Sequence, residues 1–130
     1  PITVQNRGTQ AVDVYAYKFS DNNPTTGITV VGKKGLADAE KYSTLSLRLN
    51  GTAGDAYLKS GGDNNGVYTD ENCDNPAPTT GVKLVSVAGN KKDTITLEGT
   101  TKTSLGEEGA PETAIQDKFV LTLKFKKAQP

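Results

Sequence analysis

The alternation of Phe119, Leu121, Leu123 and Phe125 with Val120, Thr122, Lys124 and Lys126 constrains this chain more than any other feature. A period of two places successive side chains on opposite faces of an extended strand. One face of this segment is therefore predicted to be buried, and the other polar and basic. The same alternation recurs in Val12-Asp13-Val14-Tyr15-Ala16-Tyr17-Lys18-Phe19 and in Leu45-Ser46-Leu47-Arg48-Leu49. Clusters of turn residues separate these runs, as expected where strands are joined by tight connections.

Shorter strands are predicted at Ile2-Thr3-Val4, Ile28-Thr29-Val30-Val31, Ala56-Tyr57-Leu58, Val82 to Val87 and Thr94-Ile95-Thr96-Leu97, and the segment from Ser60 to Gly81 reads as a long loop in which Val67-Tyr68 is an optional short strand. With Asn6-Arg7-Gly8 between them, the first two strands read as an N-terminal hairpin. Pro24 and the Asx residues before it end the second strand. Asn50-Gly51 tolerates positive φ and signals a further hairpin. Only Leu36 to Tyr42 has helical composition, for at most one short helix. The sum is an all-β fold, an antiparallel sheet or sandwich of about seven or eight short strands.

Hydrophobic residues are 34% of the 130, enough for one modest core, so a single domain over residues 1–130 is expected. The 15 basic and 15 acidic residues cancel, which argues against disorder and removes any global attraction to polyanions. No apolar run reaches bilayer-spanning length, so no membrane partner is expected. The start Pro1-Ile2-Thr3-Val4 has neither a basic segment nor an apolar signal core. It reads as a cytosolic product that has lost its first methionine.

Catalytic groups are scarce. Histidine is absent, so no serine–histidine or cysteine–histidine arrangement forms within one chain. Glu107 and Glu108, adjacent in a Gly-rich loop, read as solvated and not as a carboxylate pair. The acidic loop from Asp63 to Glu71 offers oxygen ligands, but Gly66 is misplaced for an EF-hand, and a polar surface loop accounts for it better. Asn50-Gly51-Thr52 matches a glycosylation sequon that a tight turn explains equally well. The glycines around Lys33 and Lys34 lack phosphate-loop spacing. No catalytic residue, metal ligand or cofactor is expected, and the chain is read as non-enzymatic.

Two features remain. Arg48, Lys83, Lys124 and Lys126 would present charge to phosphates if they shared a sheet face, although solvated faces of amphipathic strands account for them too. Cys73, the sole cysteine, sits among Asp, Glu, Asn and Pro. That company argues against a core position and, through nearby carboxylates, for a raised thiol pKa. Simple exposure explains it; a contact or disulfide between subunits is the sharper alternative.

The N-terminal hairpin, the segment Asn23-Pro24-Thr25-Thr26-Gly27-Ile28, the element Ala39-Glu40-Lys41 and the strand Thr44-Leu45-Ser46-Leu47 together resemble the coat proteins of small single-stranded RNA bacteriophages. Cys73 in its loop is similar to a cysteine-bearing loop that meets at symmetry axes in some of those capsids. The resemblance covers less than half of the chain. Those proteins end in two helices that clasp the partner subunit, whereas this chain ends in a strand. The resemblance implies a self-assembling coat subunit that encloses genomic RNA in a virion assembled in the host cytoplasm. It places Thr44, Ser46 and Arg48 on an RNA-facing strand and Cys73 at a subunit junction. The alternatives are a pilin-like or immunoglobulin-like adhesion subunit at the cell surface, completed by strand addition, and a carbohydrate-binding module using the tyrosines.

Overall fold

A computed structural model describes residues 1–21, 27–40, 43–61, 66–101 and 115–129. Among these residues nine strands and one short helix follow in order: β1 (Ile2–Gln5), β2 (Val12–Asp21), β3 (Thr29–Val30), α1 (Lys33–Ala37), β4 (Thr44–Gly51), β5 (Gly54–Leu58), β6 (Val67–Tyr68), β7 (Val82–Val87), β8 (Lys92–Thr101) and β9 (Phe119–Lys127). They form a mostly antiparallel two-layer β-sandwich, as the alternation predicts. The larger sheet runs β1-β8-β4-β5-β6, with β3 alongside β4 as its one parallel pairing; the smaller runs β7-β2-β9. No helix among the described residues is long and apolar enough to cross a membrane.

The expected N-terminal hairpin is not formed. β1 pairs with β8, Ile2 opposite Ile95, whereas β2 pairs with β7 and β9 in the other sheet. Asn6 is the physical reason. Its side-chain amide, 9% exposed, donates to the carbonyls of Gln10 (2.7 Å) and Val87 (2.9 Å), and its Oδ1 accepts from the Gly8 amide. The crossing from β1 to β2 is thus pinned against the parallel crossing from β7 to β8. Backbone bonds from Asn6 N to Lys91 O and from Asn90 N to Gly8 O complete the tie. A buried side-chain amide satisfied in this way replaces the turn that Asn6-Arg7-Gly8 would otherwise make.

Between the sheets lie Val14, Ala16 and Phe19 of β2, Leu84, Val85 and Val87 of β7, Leu49 of β4, Ala56 and Leu58 of β5, and Ile95 of β8. In β2 the inward parity of Val14 and Ala16 passes to Phe19, a step of three. The pairing with β9 slips between Ala16 and Lys18, and this bulge turns Phe19 back to the core. There its ring stacks on Phe119 at 5.3 Å between centroids.

The helix lies three residues earlier than its composition suggests. Gly32, in extended conformation, caps it, and α1 buries only Leu36. The 69–75 loop supplies acceptors for its first amides, Lys33 N to Glu71 O and Lys34 N to Asn72 Oδ1. Residues 41–42 of the predicted helix lie outside the described residues.

The β4–β5 hairpin also differs from expectation. Asn50 and Gly51 continue the strand, opposite Asp55 and Gly54, and Thr52-Ala53 make the turn. Asn50 donates its side-chain amide to Asp55 within the hairpin (2.7 Å), and the Thr52 hydroxyl donates to Asp93 of β8 (2.7 Å), tying the turn to that strand.

Candidate functional site

The six residues expected to form one nucleic-acid face fall into two groups on opposite sides of the sandwich. Leu49 lies in the core with Leu47 packed against it, and the period of two turns Ser46 and Arg48 of β4 to the other face of the larger sheet, which Thr44 shares while buried. Lys83 of β7 and Lys124 and Lys126 of β9 stand on the outer surface of the smaller one. The cause is long-range: a period of two fixes which side of its own strand a residue takes, but not which sheet the strand joins.

On the larger sheet, register brings Arg48 opposite Glu98 of β8 and Tyr57 of β5, and Ser46 opposite Thr100. These residues floor a shallow cleft of about 300 Å³. Val31, Gly32, Lys33 and Leu36 line it together with Glu71 and Cys73, the two segments joined by the bond from Lys33 N to Glu71 O. Arg48 Nε lies 3.6 Å from Glu98 Oε2 and makes no hydrogen bond, although that atom is buried. Arg48 is therefore committed to a carboxylate, and Thr44 is buried. This surface is polar and balanced in charge, not basic. Tyr57, Glu98 and Thr100 were not legible as site residues, because only the β4–β8 and β4–β5 pairings bring them together.

The smaller sheet carries the basic group. Tyr15 stands between Lys83 and Lys124, and Asp13 between Ser86 and Lys126. Lys83 Nζ is 3.2 Å from Asp13 Oδ2. Lys124 lies over the Tyr17 ring, 4.7 Å from its centroid, an arrangement that holds the ammonium close to the sheet. Three lysines against one carboxylate, interleaved with two tyrosines, leave this face net positive. Such a combination suits a phosphate backbone with bases or sugars stacked beside it.

Asp13 is the structural keystone of that face, its side chain 7% exposed. The Ser86 hydroxyl, and then Lys83 and Lys126, hold its carboxyl below the usual range in spite of burial. A carboxyl with a depressed folded pKa adds stability above the ordinary Asp value, and that contribution is lost as the pH falls through the folded value. The melting temperature is accordingly expected to hold near neutrality and to drop once the pH passes below about 4. Asp13→Asn is expected to melt lower at pH 7 and to lose less on acidification. Thermal melts between pH 7 and pH 2 check this, and equal acid losses in the two proteins would contradict it. Asp70, Asp93 and Asp117 are depressed in the same sense, so the variant keeps part of the slope.

Cys73 departs from expectation. It is 4% exposed, adopts a positive φ of 55°, and directs its thiol at the Leu58 carbonyl (3.7 Å). The polar neighbours point outward while the loop folds the cysteine inward against β5. Burial first, and the Asp70 carboxylate second, push the thiol up to about 11, so it is protonated and unreactive near neutral pH. Contact with another subunit through this sulfur would require the loop to lift away.

Asp70 spends its carboxylate inside the same loop, accepting from the amides of Asn75 (2.7 Å) and Asp74 (3.0 Å). This turn accounts for it without a cation. Asp63, Glu107 and Glu108 lie outside the described residues. Comparison with models of protein families, with curated proteins and with solved structures finds no match.

Proposed function

We propose that the chain is a structural subunit that associates with its own copies into a larger assembly of the coat or shell type. One observation carries this reading. The exposed large apolar residues among those described are Ile2, Leu97, Ile115, Val120 and Phe125, and all lie on β1, β8 or β9 or just ahead of β9. Scattered apolar residues are ordinary on a soluble surface; here they gather in two places, along β1 and β8 of the larger sheet and along β9 of the smaller one, and each patch marks a candidate contact surface. The lysine-rich outer face of β7-β2-β9 is the surface offered to an enclosed polyanion such as genomic RNA. The N-terminal likeness to RNA-phage coat proteins motivates the reading only in part, since the hairpin behind it is not formed.

Electron microscopy of the purified protein over a range of salt tests the proposal. Closed particles, carrying nucleic acid that high salt releases, are expected. Monomers alone under every condition would overturn it. The open edge of β9 also suits a pilin-like or immunoglobulin-like adhesion subunit, and fibres in place of shells would select that reading.

A further inference from the structure

The outer edge of β9 is the longest unpaired strand edge among the described residues. β2 covers one side of all nine residues from Phe119 to Lys127, and no described segment pairs with the other. The remaining edges are shorter or partly covered, the longest being the six residues of β8 from Thr96 to Thr101 that extend beyond β1. On β7, the Leu84 carbonyl accepts the Ala53 amide from the β4–β5 turn. On β6, Tyr68 bridges to Pro76 and the Val67 carbonyl accepts the Ala77 amide. β1 has only four residues. An uncovered strand of nine residues, with Phe125 57% and Val120 39% exposed, is a template for another strand.

We infer that the occupant is β9 of a second copy, antiparallel about a two-fold axis at Leu123, joining two three-stranded sheets into one of six. This contact rests on the reading of the chain as a self-associating subunit and names the surface through which it pairs. The strand's own sequence selects this arrangement. Directly opposed residues share a face, so a register that sets Leu123 against Lys124 or Lys126 would lay the apolar side of one strand on the polar side of the other and is excluded. Centring on Leu123, the midpoint of β9, pairs all nine residues: Leu123 with its own copy, Phe125 with Leu121, Val120 with Lys126, Thr122 with Lys124, and Phe119 with Lys127. The apolar face continues across the axis, and the two exposed apolar side chains of β9 both gain a neighbour. Parallel in-register pairing would instead set Lys124, Lys126 and Lys127 each against itself. Antiparallel centring on Lys124 would oppose that lysine to its copy. Like charges directly opposed are unfavourable, so the lysines leave the Leu123-centred register as the longest compatible one. Such an isologous contact closes on itself as a dimer.

Cross-linking and sedimentation of the full chain test this. Leu123→Cys is expected to form a disulfide-linked dimer under mild oxidation, while the native protein, whose only thiol is the buried Cys73, does not. Thr122→Lys opposes two lysine pairs across the axis and is expected to weaken dimerisation about 10-fold. The double variant Thr122→Lys with Lys124→Glu is expected to restore it. Circular dichroism and melting of each variant separate a lost contact from a lost fold, because Thr122 is exposed in the single chain. A folded Leu123→Cys protein that does not cross-link, or a dimer indifferent to Thr122→Lys, would overturn the contact. Shells that still form from such protein would leave the shell reading intact. Cross-linked dimers that never grow further would support the contact and count against the shell.

Discussion

Gly51→Ala is expected to cost about 2–4 kcal/mol, the sum of a clash in a packed interior and a lost hydrogen bond. A Cβ at this position would lie 2.1 Å from the Leu84 carbonyl oxygen and 2.6 Å from its carbon, both backbone atoms of β7. The strand cannot yield without disturbing Leu84 and Val85, which are fully buried. Moving the hairpin instead breaks the 2.8 Å bond from Ala53 N to Leu84 O, the bond that closes the edge of β7. Gly61→Ala is the control. Its Cβ meets nothing within 4 Å, so only its φ of +68° is penalised, by about 1 kcal/mol. Urea unfolding reads both as a shift of midpoint at unchanged slope. Equal losses for the two would show that the hairpin does not press on β7.

The same glycine shows what was legible and what was not. Asn50-Gly51 announces a hairpin, and a hairpin is there. The glycine, however, serves a close approach between sheets, which no local pattern records. Alternation was sufficient for β2, β4 and β9, since burial of one face depends only on a strand's own residues, whereas in β7 an irregularity in the pairing with β2 buries Leu84 and Val85 side by side. Even the bulge in β2 is foreshadowed by the three-residue step from Ala16 to Phe19.

Partner choice is a different matter. Nothing near Ile2 names Ile95 as its neighbour, and Asn6 looks like a turn residue until its amide is seen between Gln10 and Val87. The misplaced helix and the buried cysteine share this cause: the 69–75 loop caps α1 with Glu71 and Asn72 and folds Cys73 inward, so each segment is explained by the other. The candidate site divided for the same reason. Lysine and arginine positions predict outward-facing charge correctly, but β4 and β9 belong to different layers. Arg48 then meets Glu98 and becomes part of a balanced cleft, while Lys83, Lys124 and Lys126 gather around Asp13 and the tyrosines.

Self-association through the open edge of the smaller sheet gives the proposed subunit its contact surface, and hydrogen exchange as a function of protein concentration probes it most directly. Roughly half of the β9 amides point away from β2, as antiparallel pairing requires. They are expected to exchange almost freely in dilute protein and to become strongly protected as concentration rises. Residues 82–87 of β7, against which the hairpin turn bonds at Leu84, are expected to show no such change. Protection of residues 119–127 that stays the same across the whole concentration range, with β7 and β9 behaving alike, would contradict the account.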